Sequence, residues 1–248
     1  MNKNIPKTEL IFKKSKPLDH LSVSDGILLM VNEQRKAAIE VKKVFKSIEF
    51  AINQIYERLI LNTNGRLIYT GAGTSGRVGV QDGLELFPTF NWPKSRLDFI
   101  IAGGNIAILS AVENAEDDVL QAQEMISKKF VNSEDVVIGL AASGNTPFTC
   151  KILEESNKRG ALTVAISNNP KGEILKFGQC KIILNTKEEV ISGSTRLKAG
   201  TAQKICLNII SSMVMVKMGR VHNGTMSHLV ATNAKLRKRK LRIRKHYL

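Results

Sequence analysis

Gly65-Arg-Leu-Ile-Tyr-Thr-Gly-Ala-Gly-Thr-Ser-Gly-Arg-Val-Gly79 reads as a strand, a glycine loop and a helix in that order. The apolar run Leu67 to Tyr69 is a short buried strand, and Gly71, Gly73 and Gly76 let the backbone turn with no side chain in the way. The helix that follows starts with amides that have no intrahelical partner. Together with the Thr74 and Ser75 hydroxyls and the positive end of the helix dipole, those amides form a pocket for a phosphate. The pattern is not the Gly-x-Gly-x-x-Gly dinucleotide fingerprint, because Thr and Ser stand where a pyrophosphate needs bare backbone. It also lacks the lysine of the nucleotide-binding loop. A phosphosugar loop is the reading, with a glycine-rich turn that holds no ligand as the alternative.

Outward from this loop, four more short apolar runs alternate with helix-length segments: Leu97-Ile101, Val136-Ala141, Leu162-Ile166 and Lys181-Leu184. That alternation predicts an α/β fold: a doubly wound, flavodoxin-like parallel sheet of five strands with helices on both faces. Residues 1–24 are polar, contain Pro6 and Pro17, and read as an arm laid over a surface. Asp25 to Leu61 has no proline and carries Ile27, Met30, Val31, Ile39, Val44, Ile48, Ile52, Ile55 and Leu59 at helical spacing, which predicts one or two helices. From Leu197 to Met218 the chain is apolar enough for a helix buried on most of its circumference. The expected organisation is an N-terminal arm with helices over 1–60, a phosphosugar domain over 61–220 and a basic extension over 221–248.

In such a sheet, ligands bind outside the carboxyl ends of the strands. Three loops there are rich in small hydroxylated residues, and they nominate the substrate contacts: Gly73, Thr74, Ser75 and Gly76; Ser143, Gly144, Asn145 and Thr146; and Ser194, Thr195 and Lys198. Each loop taken singly reads as a helix cap. Three at the same end of one sheet exceed what capping needs. Two acidic positions stand apart from the surface charges. Glu85, in Asp82-Gly-Leu-Glu-Leu-Phe-Pro88, is expected among apolar neighbours before a helix-ending proline, where partial desolvation suits a general acid. In Ala111-Val-Glu-Asn-Ala-Glu-Asp-Asp118, Glu113 and Glu116 fall one helical turn apart. A local cap or salt bridge at Glu85 and a solvated acidic face at Glu116 are the plainer readings.

The chain has 248 residues, enough to bury one substantial core. Its formal charge is +15, but eight of the eleven residues from Lys235 to Lys245 are Lys or Arg and supply just over half of it. The remainder suits an enzyme for an anionic substrate, and a solvated helix end explains the tail better than a nucleic-acid arm. No run reads as a membrane span and the N-terminus has no apolar leader, so a cytoplasmic protein is expected. Cys150, Cys180 and Cys206 read as buried free thiols, and the four histidines form no metal-ligand spacing, so no metal and no cofactor is expected.

Tyr69 to Gly79, Asp82 to Thr89, Ile101 to Gly104, Ala111 to Asp117, Ala141 to Pro147, Gly193 to Lys204 and Thr232 to Leu236 together resemble the N-acetylmuramic acid 6-phosphate etherases, which have the sugar isomerase (SIS) fold. The resemblance runs from roughly residue 8 to 240 and its motif combination is specific. It implies cleavage of the D-lactyl ether of N-acetylmuramic acid 6-phosphate in peptidoglycan recycling, with Glu85 matching the proton donor and Glu116 the second active-site glutamate. Glu113 matches an earlier glutamate of the same motif that is not active. It also implies a sugar-phosphate partner, and typical members carry a small helical unit after this stretch; a homodimer is expected as well. The chain departs from the pattern at Asn145, where members often carry Arg, and at Leu86-Phe87, where they carry Cys-Pro.

One geometric difficulty follows. If the helix from Gly76 to Glu85 is unbroken, its rise puts Glu85 about 13 Å from the phosphate end. Either the helix deforms near Gly79 or Gly83, or Glu85 serves a neighbouring subunit, and the second is favoured. Two other functions of this fold stay open: an aldose-ketose isomerase, and a sugar-phosphate sensor without catalysis.

Overall fold

A computed structural model describes residues 5–13 and 16–247; residues 1–4, 14–15 and 248, part of the expected arm and tail, lie outside the described residues. The elements in chain order are α1 (Val23–Lys43), α2 (Phe45–Leu61), β1 (Leu67–Gly71), α3 (Gly73–Leu84), α4 (Leu86–Phe90), β2 (Leu97–Ile101), α5 (Ile106–Leu109), α6 (Val119–Lys128), β3 (Val136–Ala141), α7 (Pro147–Lys158), β4 (Leu162–Ser167), β5 (Cys180–Ile183), α8 (Lys198–Lys217) and α9 (Ala234–Tyr247). Short 3-10 turns lie between several of them.

The five strands form one parallel sheet in the order β2-β1-β3-β4-β5. This is the doubly wound arrangement that the alternation predicts. Side chains on successive strand residues leave opposite faces, and both faces are covered, so the strands read as continuous apolar runs. Leu67, Tyr69, Val136, Ile138, Val164 and Ile182 pack with Ile48, Ile55, Cys206 and Ile210 of α2 and α8. Ile68, Val137 and Ala165 pack on the other side with Ala122, Ile126, Phe148 and Ile152 of α6 and α7.

The helical hairpin before the sheet breaks at Val44, whose φ of −107° and ψ of 21° leave the helical region. Ser22 starts α1 by accepting the Asp25 amide at 3.1 Å. By length and composition α8 would suffice to cross a membrane, a candidate the sequence reading did not register. Eleven of its 20 residues are instead buried, and it packs on α1, α2 and α3.

Two local expectations fail. Helix α3 stops at Leu84, and Pro88 does not end it but lies within α4. Asn114 adopts a left-handed φ of 58°, so Glu113 precedes the 3-10 turn Ala115–Asp117 and shares no helix with Glu116. The C-terminal segment is strapped down before it becomes helical: Val230 N–H donates to Pro88 O at 3.1 Å, and Arg220 donates to Phe90 O and Asn91 O. Beyond it, Lys235, Arg237, Lys238, Arg239, Lys240, Arg242 and Lys245 of α9 form no ion pair with an acid among the described residues.

Candidate phosphosugar site

Helix α3 starts where β1 ends, and three glycines make that join for different reasons. Gly73 has a φ of +51° with nothing within 4 Å of an added Cβ, so its demand is conformational. Gly71 and Gly76 face each other: a Cβ on Gly76 would lie 2.9 Å from Gly71 O, and one on Gly71 would lie 2.9 Å from Gly76 N. The close approach directs the first turn of α3 at the space beyond β1. Gly76 therefore shapes the loop from behind.

That space is a hollow of about 300 Å³ between the β1, β3 and 193–195 loops. Thr74 and Ser75 line it from α3, Ser143 and Thr146 from the loop before α7, and Gly193 and Thr195 from the loop before α8. Glu116 and Glu9 complete the wall. A second hollow of about 320 Å³ adjoins it through Ala72, Gly73, Thr74 and Glu116, and reaches Arg77 and Glu113. Neither α3 nor α7 receives a side-chain cap, and both are 12 residues long. Among the described residues the hydroxyls of Thr74, Ser75, Thr146 and Thr195 make no hydrogen bond. Two open helix N-termini and four uncommitted hydroxyls thus face one cavity, which is what an anionic oxygen cluster requires.

No lysine or arginine side chain lines the first hollow. Arg77, at the second, is already spent on Ala107 O at 2.9 Å and Ser110 O at 3.0 Å. Lys198 is a correction to the sequence reading. Its side chain is buried, with Nζ 3.1 Å from Glu33 Oε2 and 2.8 Å from Glu188 O, so it ties α1 to the start of α8 and does not line the cleft. Burial raises the Glu33 carboxyl, but its hydrogen bonds to Lys36 and Lys198 outweigh that and hold it below the usual range. Glu189 accepts the amides of Lys198 at 3.1 Å and Ala199 at 2.8 Å. Burial pushes its carboxyl up despite those bonds.

Other nominated residues take different places. Ser194 does not line the hollow, whereas its neighbours Gly193 and Thr195 do. Asn145 faces a separate hollow with Lys171, Glu173 and Lys176, where its Oδ1 accepts the Glu173 amide at 3.0 Å. Gly144, at a φ of +76°, would place a Cβ 2.4 Å from Gly172 Cα and so serves loop packing.

Glu85 caps the far end of α3 and is exposed, contrary to the expected apolar enclosure; the adjacent Leu84 is itself 58% exposed. Because α3 runs unbroken over 12 residues, Glu85 lies about 18 Å along the axis from Gly73. One turn earlier, Asp82 is buried and accepts from Tyr69 OH at 3.0 Å, Asn208 Nδ2 at 2.6 Å and Ser211 Oγ at 3.1 Å. Burial pushes the Asp82 carboxyl up against the pull of these bonds. The Glu85 amide donates to Asp82 O at 3.2 Å, so this network fixes the end of α3 from which Glu85 projects.

The sequence reading missed Glu9. Nothing around Thr8-Glu9 signals a site; only the fold brings it against Gly193, about 180 residues away in the chain.

Fold and cleft together define a phosphosugar-binding domain of the doubly wound class. Residues 47–157 match the family described as the glucokinase regulatory protein N-terminal SIS domain, and residues 114–218 match the SIS domain. Over 240 residues the chain is 42% identical to the N-acetylmuramic acid 6-phosphate etherase of Deinococcus radiodurans, an alignment covering 97% of this chain and 78% of that protein. The etherase of Clostridium acetobutylicum is 43% identical over 239 residues, covering 96% and 78%. The chain belongs to the N-acetylmuramic acid 6-phosphate etherase family. The phosphoheptose isomerase of Francisella tularensis shares the fold at a TM-score of 0.60 and 18% identity, over 78% of this chain and 98% of that one.

Proposed function

We propose that the protein cleaves the D-lactyl ether of N-acetylmuramic acid 6-phosphate with water, releasing N-acetylglucosamine 6-phosphate and D-lactate in the recycling of cell-wall amino sugars. The observation that carries the reading is Glu116 in one hollow with two uncapped helix N-termini and four uncommitted hydroxyls. The phosphate lies on the Thr74, Ser75 and Thr146 side, held by amides and hydroxyls. Glu116 then faces the sugar carbons.

An ether oxygen leaves only if it is protonated as its bond breaks. Opening the sugar to its aldehyde makes the C2 hydrogen acidic. Glu116 removes that proton, the C3–O bond breaks as the acid protonates the lactate oxygen, and a conjugated aldehyde remains. Water adds at C3 to complete the product. Each proton transfer is worth about 10²–10⁴-fold. The overall change is redox-neutral and balances with one water, so no redox cofactor enters it.

Glu85 is the acid in this reading, and it works in the cleft of a second copy. An unbroken α3 keeps it from the cleft of its own chain, and a partner lying over the exposed Leu84 would desolvate the neighbouring carboxyl. The homodimer is then part of the active site. The buried free thiols, with Cys150 pushed up by burial to about 12, suit a reducing cytoplasm.

Incubation with N-acetylmuramic acid 6-phosphate should release D-lactate and N-acetylglucosamine 6-phosphate in equal amounts. Isomerised sugar without lactate would mark an aldose-ketose isomerase, and saturable binding without turnover a sensor. Mixed dimers of Glu85→Gln and a phosphate-loop variant should regain part of the activity that each homodimer lacks; verified mixed dimers without activity rule out the shared site.

A further inference from the structure

Glu9 ends the 3-10 turn Lys7–Glu9 in the N-terminal arm, and three contacts hold that arm over the cleft. Thr8 is fully buried, Phe12 N–H donates to Ser192 Oγ at 3.0 Å, and a Cβ on Gly193 would lie 3.4 Å from Glu9 Oε2. The carboxylate of this exposed residue therefore lies beside Gly193, and Glu9 lines the same hollow as Thr74, Ser75, Thr146, Thr195 and Glu116. Among the described residues it forms no ion pair and no hydrogen bond through its side chain. A carboxylate is an acceptor only, so its place in a phosphate-binding hollow needs a chemical reason.

The hollow presents two unlike sets of groups. Donors come from α3 and from the loop before α7, whereas the Glu9 carboxylate, beside Gly193, brings acceptors and negative charge. A phosphate is favoured at the first and repelled at the second. A neutral donor, a sugar hydroxyl or an acetamido N–H, is favoured at the second. Resting on the phosphosugar reading above, we propose that Glu9 is a specificity-determining residue: it accepts a hydrogen bond from a neutral O–H or N–H of the bound sugar and turns the phosphate towards α3. The N-terminal arm thereby supplies one wall of the site.

The test compares two ligands by calorimetry on the full chain and on Glu9→Ala and Glu9→Gln. N-acetylglucosamine 6-phosphate should bind Glu9→Ala about tenfold more weakly, because a charge-assisted hydrogen bond is lost. Inorganic phosphate, which has nothing to offer the carboxylate, should bind about twofold to fivefold more tightly as the repelling charge is removed. Glu9→Gln keeps an acceptor but not the charge, so it should recover part of the sugar affinity and keep the whole gain for phosphate. Changes in the same direction for both ligands, as a loosened arm would cause, overturn the proposal, and so does no change in either. If the unmodified protein binds neither ligand, the phosphosugar reading fails and this inference with it; binding by the unmodified protein with unaltered variants sinks the inference alone.

Discussion

Helices α3 and α8 both begin after loops of glycine, serine and threonine, and both point their first turns towards the carboxyl ends of the strands, yet their fates differ. At α8 the first amides are taken by Glu189, and the lysine of that turn is buried against Glu33. At α3 no side chain caps the helix, and Thr74 and Ser75 stay uncommitted. The two termini carry the same dipole and much the same residue types. Only the one without a carboxylate over it has room for an anion. Occupancy of the N-terminus, and not its composition, separates an open terminus from a structural joint.

The most severe way to break this contrast is to close α3 as α8 is closed. Ser75→Asp sets a carboxylate at the open terminus, and binding of N-acetylglucosamine 6-phosphate should weaken by about 100-fold or more. Its melting temperature should hold or rise, since an acid in the first turn favours the helix. A retained affinity would mean that the phosphate lies elsewhere.

Opening α8 is the converse experiment. Glu189→Ala leaves the buried amides of Lys198 and Ala199 without their acceptor and should cost about 2–4 kcal/mol, measured by urea unfolding. It should create no second phosphate site, because Leu197 and Lys198 remain buried over that turn. Glu189→Gln tests the electrostatics alone. The Glu189 carboxyl is held above its ordinary range, so the folded chain binds its proton more tightly than the unfolded chain. That contribution is present in full below the ordinary carboxylate range and is lost as pH rises through the elevated folded value. Unfolding free energies measured from about pH 4 to 7 should therefore fall less steeply in Glu189→Gln than in the unmodified chain.

The smallest effect sharpens the assignment of the hydroxyls. Thr146 precedes α7 without capping it, so Thr146→Val should change stability by less than about 0.5 kcal/mol while weakening sugar-phosphate binding about threefold to tenfold. A large loss of stability would return Thr146 to the ordinary role of a cap.

How far the sequence reached is visible in the same residues. Strand runs such as Val136-Ala141 were legible because both sheet faces are buried, and the order β2-β1-β3-β4-β5 is the flavodoxin-like one expected from the strand-helix alternation. Thr74, Ser75, Ser143, Thr146 and Thr195 stand out in the sequence because glycine-bracketed hydroxyls before helices are local signals, and all five line the hollow. Lys198 misled because a lysine after Ser-Thr-Arg looks the same whether it meets substrate or Glu33. Glu85 was nominated from the sequence, but its surroundings were not legible there: Leu84 and Phe87 flank it in sequence without covering it. Glu9 left no trace at all.

Local chemistry in the chain set the strands, the helices, the glycine turns and the set of hydroxyls, since each depends on residues a few positions apart. Tertiary structure decided which helix terminus stays open, which lysine is buried and which carboxylates share a wall. Those outcomes depend on groups such as Glu33 and Lys198, or Glu9 and Gly193, that are brought together from distant parts of the chain. Burial and charge act on whatever lies within a few ångströms, and sequence distance carries no record of that.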